Sequence, residues 1–148
     1  MISYHKGDLL ESGCDIICHQ VNLGGVMGGG IAYQIAQKYP NCEEEYREMC
    51  QKFDLSGNIH FFAYKEKGYH KFIANCFSQR PNFETDYMWL DKIVRKVYCF
   101  AEMYKLKTVG IPKNYGCGIA NGDWSIVEKI WANAFMYGEN IELQIWEL

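Results

Sequence analysis

The chain has 148 residues, the length of one ordinary domain. A chain of that size buries enough apolar surface to fold without disulfide bonds or a structural metal ion. Its 15 basic and 18 acidic residues give a net charge of -3. This charge does not favour binding to duplex nucleic acid or to an anionic membrane surface. The start lacks the residue order of a signal peptide, and no run approaches the roughly 18 apolar residues of a membrane helix. We therefore expect one domain, residues 1–148, in the cytoplasm, with a small molecule as its partner.

The cysteines predict reduced thiols rather than a metal site or disulfides. There are seven of them, an odd number, and no two have the C-x-x-C spacing. Cys18 and His19 are adjacent, but neighbours in a strand point to opposite faces and rarely bind one ion together. We expect most of these thiols to be buried, and we expect no metal and no cofactor.

The first elements alternate between strand and helix. Short apolar runs with β-branched residues predict strands at residues 2–5 and 15–21. Ile31 to Tyr39 carries apolar residues at helical spacing, and Pro40 ends that pattern. The glycines of residues 24–30 therefore stand directly before a helix.

A second helix and a hairpin follow. Asn41 and Glu44 resemble a capping box, and they predict a helix that continues to about Phe53. Residues 58–66 and 70–77 are aromatic and β-branched, with a glycine between them. They predict two antiparallel strands joined by a tight turn.

The remaining segments complete an alternating order. Apolar spacing predicts a long helix over about residues 85–105, a strand at 108–112, a helix at 123–137 and a closing strand at 141–148. Strands that alternate with helices indicate an α/β fold with a mixed sheet and helices on both faces, a three-layer α/β/α sandwich. In such sheets ligands bind outside the carboxyl ends of the strands.

Two glycine-rich loops lie at such positions. The first loop, His19 to Gly30, has five glycines in seven positions, and the second loop, Asn114 to Trp124, also joins a strand to a helix. Backbone N–H groups in front of a helix N-terminus hold phosphate without charged side chains. Two such loops predict a diphosphate ligand, and the alternative is that the glycines only make tight turns.

Familiar nucleotide-binding motifs do not fit the first loop. Ile31 stands where a P-loop requires lysine, so a nucleoside triphosphatase is not expected. The dinucleotide fingerprint requires a small residue where this chain has Tyr33. The phosphate hypothesis therefore depends on main-chain groups and not on these motifs.

The order of motifs resembles the macrodomain family, whose members bind ADP-ribose. The resemblance is carried by KGDLL (6–10), a strand ending in His19, Asn22, GGVMGGGIA (24–32) and IPKNYGCGIANGDW (111–124), and it spans nearly the whole chain. Within the family the first loop is most similar to the ADP-ribose 1″-phosphate phosphatases and the terminal ADP-ribose protein hydrolases. The resemblance implies a macrodomain-like α/β/α sandwich and a pocket for ADP-ribose or a derivative.

Carried over position by position, the resemblance also implies roles for thirteen residues. These are Asp8 and Leu9 at the adenine, His19 and Asn22 beside the distal ribose, Gly28, Gly29, Gly30 and Ile31 along the diphosphate and that ribose, and Tyr115, Gly116, Cys117, Gly118 and Ile119 over the phosphates. His19 and Asn22 are the catalytic candidates. His19 either protonates a leaving oxygen or orients water, or it only shapes the pocket.

The chain departs from the protein hydrolase branch at two positions. Residues 73–79 contain no lysine where that branch has one on a central strand, and Ala120 stands where it has an aspartate. Asp123 lies close by, but its place before a helical run predicts a helix N-cap. Cys117 is either a nucleophile or a small residue in a phosphate-binding loop.

Two functions remain open at this point. One is a hydrolase that removes a terminal phosphate, an acyl group or a modified protein from the distal ribose of ADP-ribose. The other is a module that binds ADP-ribose without turning it over.

Overall fold

A six-stranded mixed sheet forms the centre of the molecule. A computed structural model describes all of residues 1–148. The strands are β1 (Ile2–Lys6), β2 (Ile16–Gln20), β3 (Ile59–Glu66), β4 (Tyr69–Cys76), β5 (Thr108–Pro112) and β6 (Glu142–Glu147). They lie in the order β1-β6-β5-β2-β4-β3, and every neighbouring pair is parallel except β3 and β4. The predicted mixed sheet and hairpin are confirmed.

Four helices cover the two faces of this sheet. They are α1 (Gly30–Lys38), α2 (Pro40–Lys52), α3 (Tyr87–Met103) and α4 (Trp124–Phe135), and a short 3-10 helix spans Leu9–Glu11. One buried cluster joins α3 and α4 to the sheet, and a second joins α1 and α2 to the opposite face. The predicted three-layer α/β/α sandwich is therefore confirmed.

The start of α2 differs from its prediction. The helix begins at Pro40, Tyr39 precedes it as the cap, and no side chain caps it. Asn41 lies inside the first turn, so the capping-box interpretation of Asn41 and Glu44 is wrong. The physical reason is that proline fits the first helical position, where its missing N–H and its fixed φ cost nothing. Pro40 therefore ends one helix and starts the next.

Asp86 fixes the start of α3. Its carboxylate accepts a hydrogen bond from the Trp89 N–H at 2.9 Å and one from Arg80 Nε at 2.7 Å. Burial alone raises the pKa of Asp86, but these two hydrogen bonds and the Arg80 charge outweigh it, and the pKa is lowered. The carboxylate therefore stabilises the native state in its charged form.

Most of the cysteine thiols are buried, as the sequence predicts. All seven cysteines are free, and four of them, Cys14, Cys18, Cys42 and Cys76, are buried. No group of His, Cys, Asp and Glu side chains has the arrangement of a metal site. None of the helices combines the length and the apolar character needed to cross a bilayer.

Candidate functional site

Two adjoining cavities open at the carboxyl ends of the parallel strands. The deep cavity, about 500 Å³, lies between the first and second loops. The outer cavity, about 360 Å³, lies beside Asp8 and Trp146. Both are lined by Gly30, Ile31 and the segment 112–114, so they form one continuous cleft. Their volumes are within the usual range for small-molecule sites.

The cleft brings together twelve of the thirteen residues singled out from the sequence. Asp8, Leu9, Gly30 and Ile31 line the outer cavity. Those that line the deep cavity are His19, Asn22, Gly28, Gly29, Gly30, Ile31, Tyr115, Gly116, Gly118 and Ile119. Cys117 lines neither cavity.

Cys117 belongs to the side of the second loop that faces the core. Its thiol donates to the Tyr115 carbonyl at 3.2 Å, and its side chain packs against the buried cluster under α3 and α4. Burial, with a smaller contribution from the Asp123 carboxylate, raises the pKa of the Cys117 thiol. A thiol held protonated and turned from the cleft is a poor nucleophile.

The first loop lines the deep cavity with residues whose main-chain donors are unpaired. Gly29 is the N-cap of α1 but offers no side chain, and nothing caps the helix. The N–H groups of Gly28 and Gly29 have no hydrogen-bond partner in the protein. Free N–H groups at a helix N-terminus carry partial positive charge, and they are suited to bind an anion.

The second loop presents donors of a different origin. The N–H groups of Gly118 and Ile119 have no partner, while turns within the loop use those of Cys117 and Gly122. The N-terminus of α4 behind the loop is not available, because the Asp123 carboxylate accepts from the Ser125 N–H at 2.9 Å. The N-cap interpretation of Asp123 is confirmed. A helix begins directly after this loop, as the sequence predicts, but its N-terminus is already capped by Asp123.

The shape of the second loop depends on side chains that sequence analysis did not single out. Thr85 donates to the Gly116 carbonyl at 2.7 Å, and its backbone N–H donates to the Ala120 carbonyl. Gln20 donates to Ser78 and to Thr85. Gly116 has φ of +68° and lies so close to Thr85 that a Cβ would fall 2.8 Å from its hydroxyl. These residues lie on three separate segments, and only the folded chain brings them together.

The charge around the deep cavity is also suited to an anion. Of its 19 lining residues only Lys113 is charged, and no carboxylate is among them. Lys113 is paired with Glu147 at 2.6 Å, which raises the pKa of the lysine. This lysine lies in the IPKNYG stretch, and the sequence alone assigns it no role. The acidic net charge of the chain is thus kept away from the deep cavity.

Asn22 acts on the first loop itself. Its side-chain Oδ1 accepts from the Gly24 N–H at 2.9 Å and from the Tyr46 hydroxyl at 2.9 Å, and its Nδ2 donates to the Val26 carbonyl at 2.8 Å. These bonds tie the loop to itself and to α2. The side chain therefore shapes the cavity wall.

His19 is buried where β2 meets the deep cavity. The side chain has no exposed surface, and Nε2 lies 2.6 Å from Asn75 Oδ1. Burial lowers the pKa of His19 to about 4, although the Asn75 hydrogen bond opposes this shift. The imidazole is neutral at neutral pH, and where Nε2 donates to the Asn75 oxygen, Nδ1 is left as an acceptor.

Asp8 is placed to recognise a donor in the outer cavity. It caps the short 3-10 helix, with Oδ1 accepting from the Leu10 N–H at 2.9 Å. Oδ2 makes no hydrogen bond within the protein, and the residue is exposed. One carboxylate oxygen is therefore fixed and the other is free.

Proteins of known description are similar to this chain in sequence. It is 46% identical over 54 residues to an ADP-ribose 1″-phosphate phosphatase of Saccharomyces cerevisiae, a match covering 35% of this chain and 30% of that protein. It is 25% identical over 161 residues to a DNA ADP-ribosyl glycohydrolase of Mycobacterium tuberculosis, covering 99% of this chain and 42% of that protein. Each match covers less than half the length of that relative.

Comparison of structures and of family models leads to one family. The solved macrodomain of Mycobacterium tuberculosis DarG superposes with a TM-score of 0.88 at 25% identity, covering 99% of this chain and 97% of that one. The family model described as Macro domain matches residues 18–131, which include both loops. The chain therefore belongs to the Macro domain family.

Proposed function

We propose that this protein binds ADP-ribose or a derivative of it along the continuous cleft. The adenine lies in the outer cavity with its amino group on Asp8 Oδ2, and the diphosphate lies between the two loops. The distal ribose then reaches the inner end of the deep cavity. The observation that carries this proposal is a set of unpaired N–H groups on residues that line one cavity without a carboxylate: Gly28 and Gly29 on one loop, and Gly118 and Ile119 on the other.

Calorimetry with ADP-ribose, ADP and AMP tests the binding mode. ADP-ribose is expected to bind most tightly, and removal of the distal phosphate, as in AMP, to weaken binding most, since the loop amides then lose their main partner. Equal affinity for AMP and ADP-ribose would contradict the assignment of the loops to the diphosphate. Absence of binding to all three would overturn the proposal.

The base assignment has its own test in a ligand analogue. Inosine diphosphate ribose presents a carbonyl oxygen where adenine presents an amino group, so the free Asp8 oxygen would face an acceptor. A lost hydrogen bond to a charged group is worth about 1.5–3 kcal/mol, or roughly tenfold to a hundredfold in affinity. Asp8→Asn retains a capping side chain and is expected to reduce this discrimination. Equal binding of both ligands by the original protein would place the base elsewhere.

We further propose that the protein hydrolyses a bond at the distal ribose. The support is similarity to relatives named as a phosphatase and as a glycohydrolase, together with a neutral imidazole at the inner end of the cleft. The purified protein is incubated with ADP-ribose 1″-phosphate, O-acyl-ADP-ribose, and mono-ADP-ribosylated protein and DNA, and ADP-ribose release is measured. Turnover of one substrate class identifies the leaving group.

A binding module without turnover is the second candidate. It is favoured by the lining of the deep cavity, which holds no aspartate or glutamate, and by Asn22, whose polar atoms are used within the first loop. Tight ADP-ribose binding without turnover of any of the four substrates would establish this function. Turnover that His19→Gln abolishes, with binding retained, would exclude it.

A further inference from the structure

A hydrogen-bonded chain crosses the sheet beneath the deep cavity. Asn75 of β4 stands in register with His19 of β2 on one side and with His60 of β3 on the other. His19 Nε2 lies 2.6 Å from Asn75 Oδ1, and Asn75 Nδ2 lies 3.0 Å from His60 Nδ1. His60 Nε2 lies 2.8 Å from the Glu45 carboxylate on α2. This series of hydrogen bonds thus connects the inner end of the cleft with the outer surface of α2.

The carboxylate at one end sets the direction of every bond when His60 carries a single ring proton. An ionised carboxylate only accepts, so His60 Nε2 donates to Glu45. With one proton on the ring, His60 Nδ1 is then an acceptor and takes its hydrogen from the Asn75 amide nitrogen. The Asn75 oxygen is left to accept from His19 Nε2. A rotated Asn75 amide would place its oxygen at His60 Nδ1, and a His60 ring with one proton would then present a bare Nε2 to the carboxylate.

The consequence falls on the far nitrogen of His19. Because Nε2 carries the proton, Nδ1 is a bare lone pair. Nδ1 is buried and has no hydrogen-bond partner in the protein, although His19 lines the deep cavity. A buried polar atom without a partner costs about 1–3 kcal/mol, and such atoms in native proteins call for a functional explanation.

We propose that Glu45, through His60 and Asn75, is a positioning residue that fixes the Nε2–H tautomer of His19, so that Nδ1 accepts a hydrogen bond from a ligand hydroxyl or a water at the inner end of the deep cavity. The assignment of the His19 tautomer depends only on the geometry of the hydrogen bonds from Glu45 to His19. The acceptor part rests on the proposed function, since it requires a ligand in the cleft. Glu45 touches no ligand and acts only through its neighbours.

Ring-nitrogen NMR on histidine-labelled protein tests the tautomer directly. Long-range ¹H–¹⁵N spectra distinguish protonated from bare nitrogens, and substitution of the other histidines assigns His19 and His60. Both rings are expected to be protonated on Nε2 and bare on Nδ1. A proton on Nδ1 of His19 would overturn the proposal.

Substitutions at Glu45 test whether it sets the direction. Its side chain is 52% exposed, so changes there leave the core packing intact. Glu45→Lys replaces an acceptor with a donor, which inverts the chain and moves the His19 proton to Nδ1. Glu45→Gln retains an acceptor oxygen and is expected to restore the original tautomer. Glu44→Lys makes the same charge change at a neighbouring exposed residue that has no hydrogen bond or ion pair. His19 unchanged in Glu45→Lys, or changed equally in Glu44→Lys, would contradict the role of Glu45.

Addition of ADP-ribose then tests the acceptor. Calorimetry establishes binding, and the His19 Nδ1 resonance is expected to shift as the nitrogen gains a hydrogen bond. If calorimetry detects no binding, the proposed function fails, and the tautomer measurements above still decide the role of Glu45. If ADP-ribose binds and Nδ1 does not shift, the acceptor part is wrong. For a substrate that is turned over, Glu45→Lys is expected to lower kcat about tenfold or more with KM nearly unchanged. The control Glu44→Lys is expected to change neither constant. Equal changes in both variants would contradict the positioning role.

Discussion

Replacement of Gly29 with aspartate is expected to stabilise the fold while removing its ligand site. Gly29 caps α1 in an extended conformation, with φ of -153° and ψ of 161°, and a Cβ at this position would contact nothing within 4 Å. Aspartate therefore fits without strain, and its carboxylate accepts from the free N–H groups of the first helical turn. A capping carboxylate near a helix N-terminus is worth about 0.3–1 kcal/mol, so we expect the free energy of unfolding to rise by that amount.

The same carboxylate stands where the proposed diphosphate binds. Two unit charges about 4 Å apart repel by about 4 kcal/mol at an effective dielectric constant of 20, which corresponds to roughly a thousandfold loss of affinity. The variant also occupies the donors that the ligand requires. We therefore expect Gly29→Asp to be at least as stable as the original protein and to bind ADP-ribose about a thousandfold more weakly.

Urea unfolding and calorimetry measure the two quantities separately. Gly29→Asn is the matched control, because asparagine caps the helix without a charge and is expected to lose less affinity than aspartate. Binding of ADP-ribose by Gly29→Asp within about threefold of the original protein would refute the reasoning. So would a loss of binding that merely accompanies unfolding.

Three further substitutions are expected to give distinct results. Gly116→Ala introduces left-handed backbone strain and a clash with Thr85, so the free energy of unfolding measured in urea is expected to fall by about 2–4 kcal/mol. Gly118→Ala is the control: a Cβ there has nothing within 4 Å, and the free energy is expected to change by less than about 0.5 kcal/mol. Equal losses in the two variants would contradict the role given to the loop geometry. Asp86→Asn is expected to lower the free energy of unfolding by about 1 kcal/mol at pH 7. Because the native pKa of this carboxyl is lowered, this difference in free energy is expected to persist above the unfolded-state pKa of about 3.9 and to shrink as the pH falls through the lower native pKa. A constant difference between pH 7 and pH 2, followed by urea unfolding, would exclude this linkage. Cys117→Ser is expected to retain ADP-ribose binding and any turnover within about threefold, since the thiol is turned from the cleft; abolished turnover would restore the nucleophile hypothesis.

Local sequence pattern was enough to predict the layers of this fold. Residues 85–105 and 123–137 carry apolar side chains at helical spacing, and α3 and α4 fall within those ranges. The hairpin followed from two β-rich runs around a glycine, and β3 and β4 pair antiparallel there. These signals are local, because each depends on spacing within a single segment.

Helix starts were predicted less well because two signals competed. Near α2, Asn41 and Glu44 match a capping box, but Pro40 fits the first helical position and fixes the start two residues earlier, with Tyr39 rather than Asn41 as the N-cap. At the second loop, the sequence predicts Asp123 as an N-cap, and the structure confirms it. A capped helix has no free N-terminus to offer, so the donors of this loop come from turns.

The side chains that support the site cannot be predicted from local sequence patterns. Thr85 and Gln20 hold the second loop from 31 and 96 positions away in sequence, measured to Gly116. Likewise His60, Asn75 and His19 meet because three strands are in register, and sequence alone does not fix that register. Motifs identified the residues at the cleft surface, while the residues behind them required the folded structure.

The measurement that bears most directly on the central claim is an amide NMR titration with ADP-ribose. The claim is that main-chain N–H groups from both loops bind one diphosphate. The amide resonances of Gly28, Gly29, Gly118 and Ile119 are expected to shift together, with a single Kd equal to that from calorimetry. Shifts confined to one loop, or different dissociation constants for the two loops, would contradict it.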